Sequence, residues 1–269
     1  MIEAGCVQAD DRQAGYAHRR IDLMSWTTYR DRLLDDPIIF LPVGALEQHG
    51  PHLPMGCDAI LAAAITARVA EALDGLQLPA LTYGYKSQAR SGGGQTFPGT
   101  TSLDGATLTS LVRDIIREVA RHGGRRIAIV NGHVENQWFL TEGIDLALRE
   151  LASSNRQMQI VRCEYWNYTP QAILKGIFAG AFPGVDLEHA ALLETSMMLA
   201  LHPELVAMDA IPEDAIGHFP AHDSYPHHSR GVPESGVLAP ARAATAAVGI
   251  TLIDSTVAEM VSALAREFA

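Results

Sequence analysis

The chain has 269 residues, 48% hydrophobic and 19% charged, which is the make-up of a globular enzyme and enough length to bury a sizeable core. Its formal net charge is −11 and its 20 lysines and arginines form no block or stripe, so nucleic acid is excluded as an expected partner. No apolar run approaches the ~20 residues that cross a bilayer, so no membrane role is expected.

The opening "MIEAGCVQADDRQAGYAHRR" is polar and lacks the apolar centre of a secretory signal. It reads as a flexible extension over residues 1–20, ahead of a single domain over 21–269, on a cytoplasmic protein. Cys6, Cys57 and Cys163 are odd in number and widely spaced, which fits neither a disulfide framework nor a CxxC metal motif.

"IIFLPV" (Ile38–Val43) reads as a buried strand, and Ala59–Leu73 as an alanine-rich helix capped by Asp58. "LQLPALTYG" is a second strand candidate. "SLDGATLTSLVRDIIREVARHGG" repeats Leu, Val and Ile every three or four residues and ends in glycine, as a helix does. "RRIAIVNG" then reads as a strand, "NQWFLTEGIDLALRELAS" as a helix, "QMQIVRCEYW" as a strand and "EHAALLETSMMLALHP" as a helix. The last helix spans roughly Pro240 to Phe268. Such alternation predicts an α/β fold, a mostly parallel β-sheet flanked by helices on both faces. Met208 to Ala239 is irregular and rich in Pro, His and Gly; a loop of that length suits a lid or an oligomer contact.

Ligands of open parallel sheets bind beyond the carboxyl ends of the strands. Glu47, His49 and Asp58 follow "IIFLPV" there, and His133 and Glu135, in "NGHVEN", follow "RIAIV". In an extended segment residues two apart point the same way, so Glu47–His49 and His133–Glu135 can each aim at one point. Carboxylate and imidazole both bind Zn²⁺ or Mn²⁺, and a carboxylate can bridge two ions. Either pair alone is more often a surface turn; two at strand exits favour a metal. His52, between prolines and out of phase, reads as structural. The scattered His218, His222, His227 and His228 read as solvated. "ARSGGGQTFPGTTS" lacks the phosphate-loop spacings and suits a mobile loop that brings Ser91 near a small substrate. In "GVDLEHAALLETS", Asp186, Glu188 and His189 gather at a helix start, and Glu194 either supports a metal-site histidine or pairs with a neighbour.

"LPVGALEQHGPHLPMGCDAI", "YGYKSQARSGGGQTFPGTTSLDGATL", "NGHVENQ" and "DLEHAALLETSMMLALHPELV" together resemble the creatininase family, in order, from about Ile21 onward. The resemblance implies a creatininase-like α/β fold, a homohexamer and two divalent ions per chain, Zn²⁺ and/or Mn²⁺. It implies that Glu47 and His133 hold one ion and His49 and Glu135 the other, with Asp58 between them. His189 would be catalytic together with Glu135, while Ser91, Trp166, Asp186 and Glu188 would line the pocket of a small cyclic amide, opened by hydroxide held between the ions. Two positions depart from the creatinine-hydrolysing pattern. Val185 replaces a tryptophan and Val134 a tyrosine, which removes aromatic surface and a hydroxyl. A related cyclic amide or a formamide is therefore the alternative substrate. A non-catalytic metal or small-molecule binder and a dinucleotide oxidoreductase are further alternatives, the latter opposed by the missing glycine fingerprint.

Overall fold

The computed structural model describes residues 18–88, 94–153, 157–213, 216–222, 224–226 and 230–269. Ser91, His227, His228 and most of the expected N-terminal extension lie outside the described residues. The last residues of that extension do have a place, because Arg20 bridges Gln77 and the Gln77 N–H donates to the Arg19 carbonyl.

Four parallel strands form the sheet: β1 (Ile38–Val43), β2 (Leu76–Gln77), β3 (Arg126–Asn131) and β4 (Gln159–Glu164), in the order β2-β1-β3-β4. The helices are α1 (Trp26–Arg32), α2 (Cys57–Ala72), α3 (Gly105–Arg121), α4 (Gln137–Ser153), α5 (Gln171–Ile177), α6 (Leu192–Leu201) and α7 (Ala246–Glu267). Alternate residues of β1 face opposite layers. Ile38 and Phe40 pack with Leu61, Ile65, Met198, Leu252 and Met260 of α2, α6 and α7. Ile39, Leu41 and Val43 pack with Leu108, Val112, Ile116 and Leu140 of α3 and α4. Both faces are covered, so β1 is apolar at every position rather than alternating, as buried parallel strands are. The apolar α7 is long enough to cross a membrane, but it sets Leu252, Ile253, Met260 and Leu264 into this core.

Two expectations are corrected. "LQLPALTYG" forms only the two-residue β2 plus a bridge from Leu81 to Val43, since Pro79 removes a ladder donor. Asp58 does not cap α2: the cap position is Gly56, and Asp58 is the second helical residue. Short α1 and α5 were not legible as periodic runs.

The register sets the strand ends level. Val43 pairs with Asn131, and Asn131 with Glu164. The chain leaves β1 through α2 on one face and β3 through α4 on the other, so the crevice between the two strand ends is the topological switch point where such sheets bind ligands. Two glycines admit the first turn of α2 to that crevice. A Cβ on Gly44 would meet the Ala59 Cα at 2.5 Å, and one on Gly132 the Asp58 carbonyl oxygen at 2.6 Å. Backbone cannot swing aside as a side chain can, so Gly132→Ala should destabilise the fold by about 1–3 kcal/mol. Urea unfolding of both proteins checks this; equal midpoints would mean that α2 yields freely.

Candidate metal centre

Past β1 the chain runs extended through Glu47 and His49, then returns to start α2 with Asp58. Past β3, two asparagines shape the turn. The Asn131 side chain donates to the His133 carbonyl at 2.7 Å and accepts from its N–H at 3.2 Å. Asn136 donates to the Gly44 carbonyl at 3.0 Å, tying this turn to the exit of β1. Val134–Asn136 is a 3-10 turn, not an extended segment, so His133 and Glu135 do not share one direction as their spacing suggested.

Six acids line one cleft, Glu47, Asp58, Glu135, Asp186, Glu188 and Glu194, with no lysine or arginine beside them among the described residues. Two donor groups stand in it, each within 4.8 Å internally: Glu47, Asp58 and His133, and His49, His189 and Glu194. Asp58 faces both. Its Oδ1 is 3.0 Å from His49 Nε2 and its Oδ2 3.1 Å from His133 Nδ1. Glu47 Oε2 lies 3.3 Å from His133 Nδ1, and Glu194 Oε2 lies 3.7 Å from His49 Nε2.

The outer nitrogen of each ring is held by a backbone carbonyl: His49 Nδ1 by Glu47 at 3.1 Å, His133 Nε2 by Tyr85 at 2.9 Å and His189 Nε2 by Gln48 at 2.8 Å. Donation there leaves the inner nitrogens bare, the arrangement found around metal-ligating histidines. The buried His49 Nε2 and Asp58 Oδ2 make no hydrogen bond of acceptable geometry despite their ion-pair distances. Orphaned buried donors, excess acid and inward-facing imidazoles all fit divalent cations.

Electrostatics agree. Burial alone would lower His49, but the Asp58 and Glu194 carboxylates outweigh it and push the imidazole up to about 10. His133 rises well above its usual value, the charge of Glu135 and its contact with Asp58 overcoming burial. Asp58 lies below the usual carboxylate range, the two imidazoles beating its desolvation. Burial raises Glu194 to about 7 and Glu188 to about 8. A proton on His49 Nε2 occupies the place that a cation would take.

Residues 22–264 match the creatininase family, described as creatinine amidohydrolase. The chain belongs to the creatininase family. Over 248 residues it is 45% identical to the creatinine amidohydrolase of Pseudomonas putida, covering 91% of this chain and 95% of that one. A manganese creatininase superposes with a TM-score of 0.90 at 44% identity, covering 93% of this chain and 98% of its own. The mycofactocin precursor peptide peptidase of Mycobacterium tuberculosis is 34% identical, covering 86% and 85%.

In this creatininase-family protein the remaining expected site residues separate. Glu135 belongs to neither donor group; its Oε2 is 3.2 Å from His133 Nε2, on the far side of that ring. Glu194 stands beside His49 where the sequence reading put Glu135. It also accepts from the Ala190 N–H at 2.6 Å, while Glu188 Oε2 accepts from Leu193 N–H at 2.9 Å, so the two acids cap the start of α6 reciprocally. Ala190, at φ 55°, makes the left-handed turn between them. His189 is half-buried at the cleft wall; burial and neighbouring His49 push it down to about 3, so its imidazole is neutral. Trp166 and Asp186 line the cleft, Asp186 exposed at its mouth. His52 is buried against Thr195 Oγ1 at 2.9 Å and enters neither group. His218 and His222 are exposed and enter no such group either.

Gln48 was missed, although it stands between two expected ligands. Its side chain is buried, donates to the Gly236 carbonyl at 3.0 Å and lies 3.0 Å from His189 Nε2, while the Leu238 N–H donates to the His189 carbonyl at 3.1 Å. Ser87 donates to Glu47 Oε1, and a Cβ on Gly94 would overlap that carboxylate.

Glu194→Gln should halve the zinc bound per chain, and Glu135→Gln should leave it whole. Elemental analysis after reconstitution decides; the reverse result would restore the pairing implied by sequence. Metal uptake should also release protons and tighten as pH rises from about 6 to 8, since His49 and His133 must shed protons held above their usual values. Calorimetry in buffers of different ionisation enthalpy reads that release; uptake without it would mean that both rings are already bare.

Proposed function

We propose that this protein opens the ring amide of creatinine to give creatine at a centre of two divalent ions, zinc or manganese. The pair of donor groups joined through Asp58 carries the reading, in a chain 45% identical to a creatinine amidohydrolase. Glu47, Asp58 and His133 would hold one ion, and His49, Asp58 and Glu194 the other. Bound there, the ions supply water activation near neutral pH and polarise the amide carbonyl.

The protein's own groups place the substrate and move the proton. His189, neutral and held at Nε2 by the Gln48 carbonyl, offers Nδ1 to take a proton from the attacking water. The same nitrogen returns it to the ring nitrogen as the C–N bond breaks, which that poor leaving group requires. Glu135, buried at the cleft beside His133, is the second group able to hold a proton. Trp166 offers a flat wall to the ring, Asp186 offers negative charge to a guanidine-like edge, and Glu188 lines the cleft beside it. The pocket role of Ser91 and the homohexamer rest on resemblance alone, and the cytoplasmic location on the polar opening of the sequence.

Val134 and Val185 support a second reading, because both line the cleft without the aromatic groups of creatinine-hydrolysing relatives. A different cyclic amide, a formamide or a peptide bond would then be cleaved, the last in line with the peptidase relatives.

NMR of zinc- and manganese-loaded protein with creatinine should show creatine appear. His189→Ala should keep both metals and lose about 10²–10⁴-fold in kcat, the usual contribution of a positioned acid–base group. Metal loss in that variant would make His189 a ligand instead. Absence of creatine with both metals bound would favour the second reading.

A further inference from the structure

The wall of the cleft carries two polar groups that the metal centre does not use. Tyr165 directly follows β4, whose last residue Glu164 pairs with Asn131, two residues before His133. The side chain is 3% exposed, meets Trp166 edge-on at 5.3 Å between ring centroids, and lines the cleft with Glu47, Asp58 and His133. It is the one phenol among the lining residues. No hydrogen bond reaches its hydroxyl among the described residues. The hydroxyl is not among the buried polar atoms left without a partner, so it opens to the cleft, where a bound molecule can reach it.

Burial, and then the charges of Glu194, Cys57, Asp58 and Glu188, raise the phenol well above its usual pKa, so it remains a donor. The second unused group is Glu188. Its Oε2 is taken by Leu193, but its Oε1 is buried, without a partner, and belongs to the same cleft wall. The cleft thus offers one O–H donor and one carboxyl oxygen beyond the metal-binding set.

We propose that Tyr165 is a substrate-binding residue whose hydroxyl donates to the exocyclic nitrogen of the bound ring, from the same cleft wall as Glu188. The ligand class is a small cyclic amide with an exocyclic amidine nitrogen, an acceptor distinct from the ring nitrogen released when the amide opens. This rests on creatinine as substrate, as proposed above, and adds the group that reads its non-reacting exocyclic nitrogen. The reacting carbonyl meets the metal centre, so the Tyr165 contact persists from bound substrate to transition state and acts on binding rather than on turnover.

Tyr165→Phe keeps the volume and the Trp166 contact and removes only the hydroxyl. With metal-loaded protein, KM for creatinine should rise about tenfold, the usual worth of one hydrogen bond in a site, with kcat and metal content unchanged. Calorimetric titration with creatinine should weaken by the same factor. Equal affinity in both proteins, or a fall in metal content or in kcat alone, would overturn the role given to Tyr165 and leave creatinine as substrate. If the intact metal-loaded protein neither binds nor converts creatinine, the proposed substrate falls and this role falls with it.

Discussion

The carboxylate of Asp58 joins the two halves of the centre, one oxygen turned to His49 and the other to His133. An acid buried to 3% exposure is costly unless positive charge surrounds it, and among the described residues no lysine or arginine lines the cleft to supply that charge. Protonated imidazoles do so in the free protein, and divalent cations would do so in the loaded one. Much of the surrounding architecture holds this one group in place. Glycines at 44 and 132 let the first turn of α2 press between two strand ends, and Asn131 and Asn136 lock the turn that carries His133.

The loops act on the same residues from above. Gly94 and Ser87 bear on Glu47, and Gly236 bears on Gln48. Through Gln48 and Leu238, the far end of the long Met208–Ala239 stretch is tied to His189. That end therefore helps to hold His189 and Gln48 at the cleft. A glycine is required at 236 on two counts: its φ is 77°, and a side chain there would overlap the Gln48 amide.

Acids and histidines at the exits of β1 and β3 were legible because residue type advertises them and a parallel sheet gathers its strand ends. Glu194 was legible only as an ambiguous acid inside a helix. Its spacing from Glu188 suits a helix start, and nothing local shows that α6 runs close to His49. Glu135 was misplaced for the complementary reason: its i, i+2 spacing from His133 suggested a shared direction, but the 3-10 turn of Val134–Asn136 rotates it behind the ring. Gln48 and Tyr165 gave no signal, since glutamine and tyrosine are common in loops and at strand ends.

By itself, the sequence determined the layered α/β architecture, the strands β1, β3 and β4, and the donor types gathered at their carboxyl ends. These follow from apolar periodicity and residue chemistry, which are local properties. Only the tertiary structure decided which donors meet, because the crossovers bring α6 and the start of α2 against strand ends distant in the chain. Which histidine nitrogen faces inward was also decided there, by backbone carbonyls of Glu47, Tyr85 and Gln48 whose positions no local pattern records.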